Sequence, residues 1–230
     1  MQIPAPTLID WPPPAVPPLA GDEVDLWWLP GTLAASLPRR QRTDLLLRRV
    51  LASHVGQPPA SLRFAREEKG RPYLPDGGPD FNLSDTRGGT LIGVAARGRI
   101  GVDLERADRR PPASALAQRW FAADESAYLG ALPDEAERAR HFIRLWTAKE
   151  AACKATGTGI FGWLDQWLFD PAGDQPALRR PPDAAQAGAP WHFLRLAPAP
   201  DYTAVLAASG FRPRLRRLWQ VIEATSAAPC

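Results

Sequence analysis

Two short stretches hold the residue types and spacings from which chemistry could be built: Gly101-Val102-Asp103-Leu104-Glu105, and Trp146-Thr147-Ala148-Lys149-Glu150 running on to Lys154. In the first, apolar and acidic residues alternate, so a strand would put Val102 and Leu104 on one face and both carboxylates on the other. In the second, Glu150 and Lys154 are four apart and share a face of a helix. Three carboxylates beside lysines make a site for a hard cation such as Mg²⁺ and the phosphate that it carries. The chain holds 28 Lys+Arg, of which only Lys69, Lys149 and Lys154 are lysine, and two of those flank Glu150. A lysine is a compact point charge suited to a phosphate oxygen, whereas arginine offers a planar fork. Each stretch alone also has a plainer reading: a solvated strand face for Asp103 and Glu105, a helical ion pair for Glu150 and Lys154.

The elements that must position these residues are partly legible. Strands are expected at Val24–Leu29, Leu62–Phe64, Phe81–Ser84, Thr90–Ala96, Arg99–Glu105, Trp163–Phe169, Trp191–Leu196 and Tyr202–Ala208. Helices are expected at Ser36–His54, with an apolar stripe of Leu45, Leu46, Val50 and Leu51, and at Ser114–Phe121, Asp124–Leu129 and Asp134–Thr156, the last closed by Gly157. A weak helical pattern covers Leu215–Ile222. There is no βαβ alternation, so the fold class is α+β. Pro111-Pro112 marks the crossing between two halves of similar element order, 1–106 and 107–230.

A hydrophobic share of 45% with nine Trp supports sizeable cores. The net charge of +3 and a pI near 9.2 favour an anionic partner. The arginines are dispersed and no nucleic-acid-binding signature is present, which argues against a nucleic-acid-binding protein. Cys153 and Cys230 are too few for a disulfide framework, the three His (His54, His141, His192) lack metal spacing, and there is neither a leader nor a long apolar run. A cytoplasmic protein with no membrane association is expected.

With these residues in place, the chain resembles the 4'-phosphopantetheinyl transferase superfamily, Sfp (surfactin) type. The resemblance rests on Gly70-Arg71-Pro72, Phe81-Asn82-Leu83-Ser84, Gly101 to Glu105, Phe121 with Glu125, and Trp146-x-x-Lys149-Glu150-x-x-x-Lys154. It implies a pseudo-two-fold monomer of two similar α+β halves with the active site in the cleft between them. It implies transfer of the 4'-phosphopantetheine arm of coenzyme A to a serine of an apo acyl or peptidyl carrier protein, releasing adenosine 3',5'-bisphosphate. By the same motifs Asp103, Glu105 and Glu150 would hold Mg²⁺, Lys154 would contact the diphosphate with Lys149 nearby, and Glu150 would help deprotonate the serine. Arg39 and Arg71 would reach the 3'-phosphate or neighbouring phosphate oxygens, and Ser84 a phosphate oxygen through its hydroxyl.

One residue departs from the family pattern. Asp85 stands where the best-known members carry a phosphate-contacting histidine, and a carboxylate there would repel a phosphate unless turned away. It motivates the alternative of a family member that binds coenzyme A or a carrier protein with weak or no turnover. The carrier protein served stays open.

Overall fold

In the computed structural model, which describes residues 3–186 and 190–223, the strand Glu23–Pro30 (β2) turns Val24, Leu26 and Trp28 into one apolar cluster and Trp27 and Leu29 into another. A strand with two apolar faces must be covered on both. Helix Arg39–Val55 (α1) covers one side with Leu46, Leu47, Val50 and Leu51. Leu45, expected in that stripe, is half-buried and Leu47 takes its place. The other side meets Val102, Leu104, Leu194, Ala204 and Leu206 of a second, three-stranded antiparallel sheet. That sheet runs in the order Trp191–Leu196 (β10), Tyr202–Ser209 (β11), Arg99–Arg106 (β7). Its outer face carries Glu135–Thr156 (α4), with Ala113–Trp120 (α2) and Ala123–Ala131 (α3) packed into the same cluster. The fold is α+β, as expected, built as helix, sheet, sheet, helix. Short strands Ala65–Arg66 (β3) with Pro72–Tyr73 (β4), and Leu168–Phe169 (β8) with Leu178–Arg180 (β9), make two small sheets, and Asp183–Gln186 (α5) is a single turn. Among the described residues no helix is long and apolar enough to cross a membrane.

The first sheet is ordered Pro6–Trp11 (β1), Arg214–Glu223 (β12), β2, Gly89–Ala95 (β6), Asp80–Thr86 (β5). A boundary at 106/107 therefore divides the sequence but not the sheets: β7 pairs with β11, and β12 enters between β1 and β2, parallel to both. The helix expected at Leu215–Ile222 is this strand. A central strand buries side chains on both faces, and a bulge between Leu215 and Arg217 shifts the phase. Together they space Leu215, Leu218, Trp219 and Ile222 as a helix would. The expected strand at Trp163–Phe169 is mostly turn, with only Leu168 and Phe169 paired, and the one expected at Leu62–Phe64 lies at Ala65–Arg66. Cys230 is outside the described residues.

Beneath α1, β12 is pinned by a buried carboxylate. Asp25 accepts Arg216 Nε at 2.9 Å and Trp219 Nε1 at 3.0 Å. His54 Nε2 accepts Trp27 Nε1 at 3.0 Å, with Asp25 3.9 Å away. Burial pushes the His54 pKa down to about 4, against the pull of Asp25. The folded value lies below the unfolded one, so this group's contribution is present above pH ~6.5 and lost as pH falls toward 4. Urea unfolding should show a drop of about 2 kcal/mol between pH 7 and pH 5 from His54 alone, which His54→Gln removes; an unchanged pH difference in the variant would refute the assignment.

Helix α4 is set by its ends and by one close approach. Asp134 caps it, accepting Glu137 N at 2.9 Å, and Gly157 ends it in the left-handed region at φ 75°. Its C-terminal turns lie directly on Gly101 of β7: a Cβ there would sit 2.5 Å from Ala155 N and closer still to Ala151 O. Gly101→Ala should push helix from strand and cost roughly 3 kcal/mol, read as a lowered urea midpoint together with loss of the site that both elements carry.

Candidate active site

Strands β5 and β7 belong to different sheets, yet they run side by side without a backbone ladder. Side chains on β5 do the joining: Asp80 Oδ2 accepts Ile100 N at 2.8 Å, Asn82 Oδ1 accepts Val102 N at 3.0 Å, and Ser84 Oγ accepts Leu104 N at 3.2 Å. Every second residue of β5 meets every second residue of β7, as the two-residue period of a strand requires. This gives Asn82-Leu83-Ser84 a structural task that its sequence did not disclose, and it draws Ser84 against Asp103.

The opposite wall is α4. Gly101 lets it settle on β7, and Glu150 and Lys154 then face Asp103. Lys154 Nζ donates to Asp103 Oδ1 at 2.6 Å and to Ser84 Oγ at 2.9 Å, and stands 3.7 Å from Glu150 Oε2. The Ser84 hydroxyl also donates to Asp103 Oδ1 at 2.9 Å. Glu105 is gripped from outside by Arg109 at 2.7 Å. Asp103, Glu105, Glu150, Lys154 and Ser84 line a cavity of about 620 Å³ with Arg39, Arg40, Thr43 and Asp85. The structure thus brings Asp103, Glu105, Glu150, Lys154, Ser84 and Arg39 to one place.

The charges are out of balance there. Burial, and then the charge of Asp103, push the Glu150 carboxyl up to about 7, and the same two causes in the same order raise Glu105. Asp103 Oδ2 is buried without a hydrogen-bond partner. Among the described residues no three carboxylate, imidazole or thiol groups are drawn together at metal-binding range; Lys154 and Arg109 engage the acids instead. An orphaned buried carboxylate oxygen beside two acids held above their usual range is nonetheless a donor set that fits a hard divalent cation.

Two expected phosphate contacts are elsewhere. Lys149 is fully buried: its Nζ donates to Leu164 O at 2.7 Å and to Trp167 O, pairs with Glu125 Oε2 at 2.7 Å, and lies over the Phe121 ring. One residue before Glu150 on a helix is a turn of about 100° away from its face, which sends Lys149 into the core. Glu125 also accepts Phe169 N at 2.9 Å and Ala122 N at 3.2 Å, so the acid both caps α3 and neutralises Lys149. Arg71 is the second correction. It spends Nη2 on Asp80, Phe81 O and Ile100 O, and Nε on Lys154 O. Its guanidinium ties β5, β7 and α4 together and is turned away from the cleft.

Comparison with known proteins agrees with this geometry. A sequence profile described as the 4'-phosphopantetheinyl transferase superfamily matches residues 99–207, which run from β7 to β11 and include Asp103, Glu105, Glu150 and Lys154. The 4'-phosphopantetheinyl transferase HetI of Nostoc sp. is 32% identical over 222 residues, covering 84% of this chain and 90% of that protein. The chain belongs to the 4'-phosphopantetheinyl transferase superfamily. The 4'-phosphopantetheinyl transferase Sfp of Bacillus subtilis is 30% identical over 125 residues, 54% of each chain. The L-aminoadipate-semialdehyde dehydrogenase-phosphopantetheinyl transferase of Eremothecium gossypii is 33% identical over 175 residues, 69% of this chain and 63% of that one. The chain is a transferase enzyme of this phosphopantetheinyl transferase type. Arg39, Ser84 and Asp85 lie outside the profile match and come to the site only through the fold.

Proposed function

We propose that this transferase moves the 4'-phosphopantetheine arm of coenzyme A onto a serine of an apo acyl or peptidyl carrier protein, as a Mg²⁺-dependent, monomeric, cytoplasmic enzyme that needs neither nucleic acid nor membrane. The observation that carries the reading is the convergence of Asp103, Glu105 and Glu150 on Lys154 in one open cavity, with Arg39 and Arg40 on its wall. Asp103, Glu105 and Glu150 would hold Mg²⁺, which when bound neutralises charge on the diphosphate. The Lys154 ammonium adds a mobile positive charge beside the same oxygens. Arg39 and Arg40 draw the anionic coenzyme to the cleft, and the pseudo-two-fold halves, 1–106 and 107–230, enclose it.

In the transfer, the serine oxygen forms a bond to the phosphorus bearing the pantetheine arm. The bridging bond to the adenosine side breaks, and adenosine 3',5'-bisphosphate leaves. The serine proton passes to the Glu150 carboxylate, directly or through a water. Positioning and electrostatics dominate such a reaction, and the nucleophile comes from the partner, so this chain needs none of its own. The alternative of binding without turnover rested on Asp85, whose carboxylate at the cavity wall is paired with Arg39 and Arg42. Mass spectrometry tests the reading: purified protein, Mg²⁺, coenzyme A and apo carrier proteins from fatty-acid, polyketide and peptide synthesis. One phosphopantetheine arm should be gained by at least one carrier, and EDTA should abolish the gain. No gain on any carrier refutes it.

A further inference from the structure

Each of the two β7 carboxylates has one oxygen engaged and one left over. Asp103 Oδ1 accepts Lys154 Nζ and the Ser84 hydroxyl, while Asp103 Oδ2 is buried without a hydrogen-bond partner. Glu105 Oε1 accepts Arg109 Nη1 at 2.7 Å, and among the described residues no hydrogen bond reaches Oε2. The Glu105 side chain is 13% exposed and lines the 620 Å³ cavity, whereas Arg109 does not line it. The guanidinium therefore grips the carboxylate from off the cavity wall and takes one oxygen out of play.

The turn that leaves β7 is built to bring Arg109 back onto Glu105. Ala107 N donates to Asp201 O at 2.7 Å, which ties the turn to the start of β11, and Arg109 N donates to Arg106 O at 3.3 Å. Arg106 Nε donates to Asp108 Oδ1 at 2.8 Å, and Arg110 Nη1 to Arg109 O at 3.1 Å. Asp108 thus has its own partner, and Glu105 is the only acid paired with Arg109 among the described residues. An ion pair with so exposed an arginine adds little to stability. Its effect lies in fixing which oxygen of Glu105 is free.

That choice bears on which cation the site takes. Mg²⁺ demands a near-octahedral shell and is met by single carboxylate oxygens with water and phosphate, whereas Ca²⁺ takes more oxygens and often both from one carboxylate. With Oε1 bonded to a guanidinium, Glu105 can give only one oxygen unless that bond breaks. The charge of Arg109 does not separate the two ions, since it repels any divalent cation alike. Its hydrogen bond does.

We propose that Arg109 is a positioning residue that keeps Glu105 a one-oxygen ligand and so sets the preference of the site for Mg²⁺ over Ca²⁺. This rests on the Mg²⁺ reading above and adds to it a specificity determinant outside the ligand set.

The test is calorimetric titration of Mg²⁺ and of Ca²⁺ into the coenzyme A complex of the wild type, of Arg109→Ala and of Arg109→Lys. The arginine is 45% exposed on a loop, so neither substitution disturbs a core. The wild type should bind Mg²⁺ about tenfold more tightly than Ca²⁺. In Arg109→Ala the lost positive charge should tighten both ions. The freed Oε1 should tighten Ca²⁺ further, so that the preference falls at least about fivefold. Arg109→Lys keeps a charged donor for Oε1 and should hold the preference within about twofold of the wild type. A smaller fall in Arg109→Ala, or a shift toward Mg²⁺, overturns the proposal, because charge alone would then be acting. A wild type that favours Ca²⁺ overturns it too, as does an equal fall in both variants, which would mean that the loop had merely shifted. If the wild-type complex binds neither ion, the Mg²⁺ reading falls with it; Mg²⁺ binding with an unchanged preference sinks the Arg109 assignment alone.

Discussion

Glu150→Gln should lower the rate of phosphopantetheine transfer by about a thousandfold while making the metal-free protein more stable. The two effects have one cause. Glu150 is buried against Asp103 and Glu105, so its ionised form is unfavourable in the folded chain. Glutamine fits the same space without the charge, and in EDTA at pH 7.5 the variant should gain about 1–3 kcal/mol in urea unfolding. The transfer reaction loses both a ligand for Mg²⁺ and the acceptor of the serine proton. This is the stability cost of a site built from like charges. A variant that loses activity and stability together would show that Glu150 only braces α4; one that keeps full activity at limiting Mg²⁺ would remove it from the metal set.

One residue away on the same helix, a different outcome is expected. Lys149→Met should cost about 3–5 kcal/mol, because it leaves Glu125 ionisable, buried and unpaired, and strips Leu164 O and Trp167 O of their donor. Adding Glu125→Gln should return part of that loss, since the amide keeps a carbonyl for Phe169 N and carries no charge. Per folded molecule, the transfer rate should stay within about twofold of the wild type because the side chain never reaches the cleft. Urea unfolding of the two variants and the wild type, with activity normalised to folded protein, decides it. A destabilisation under 1 kcal/mol, or an activity loss that folded-protein normalisation does not remove, would contradict the buried-pair account.

The contrast between the two lysines shows where the sequence was legible. Spacing of four gave Glu150 and Lys154 a shared face, and alternation gave Asp103 and Glu105 theirs, because both rules are local. Asp134 and Gly157 announced the ends of α4 for the same reason. Lys149 was drawn toward phosphate by the scarcity of lysine, but helical geometry sends it to the side where Glu125 waits, a partner 24 residues away in sequence. Arg71 failed similarly: only the fold shows that Asp80 and three carbonyls consume it. The acceptors Asp80, Asn82 and Ser84 were invisible as a set, since an alternate-residue polar strand face ordinarily meets water. In β12 the bulge and burial on both faces produced a helical spacing in a strand.

The place of β12 also dictates an order of assembly. The second strand of the five-stranded sheet is the last of the described elements in sequence order, and β1 reaches the rest of the sheet only through it. Arg216 and Trp219, which neutralise and hold the buried Asp25, arrive with it. As the chain emerges from the ribosome, β2, β6 and β5 must wait with one edge unpaired and a buried-to-be carboxylate uncompensated, while the helical cover of the other sheet is already being made. The five-stranded sheet is thus completed late, by residues more than 180 positions downstream of β2, and emergence of β12 is the step that lets β1 and β2 join in one sheet.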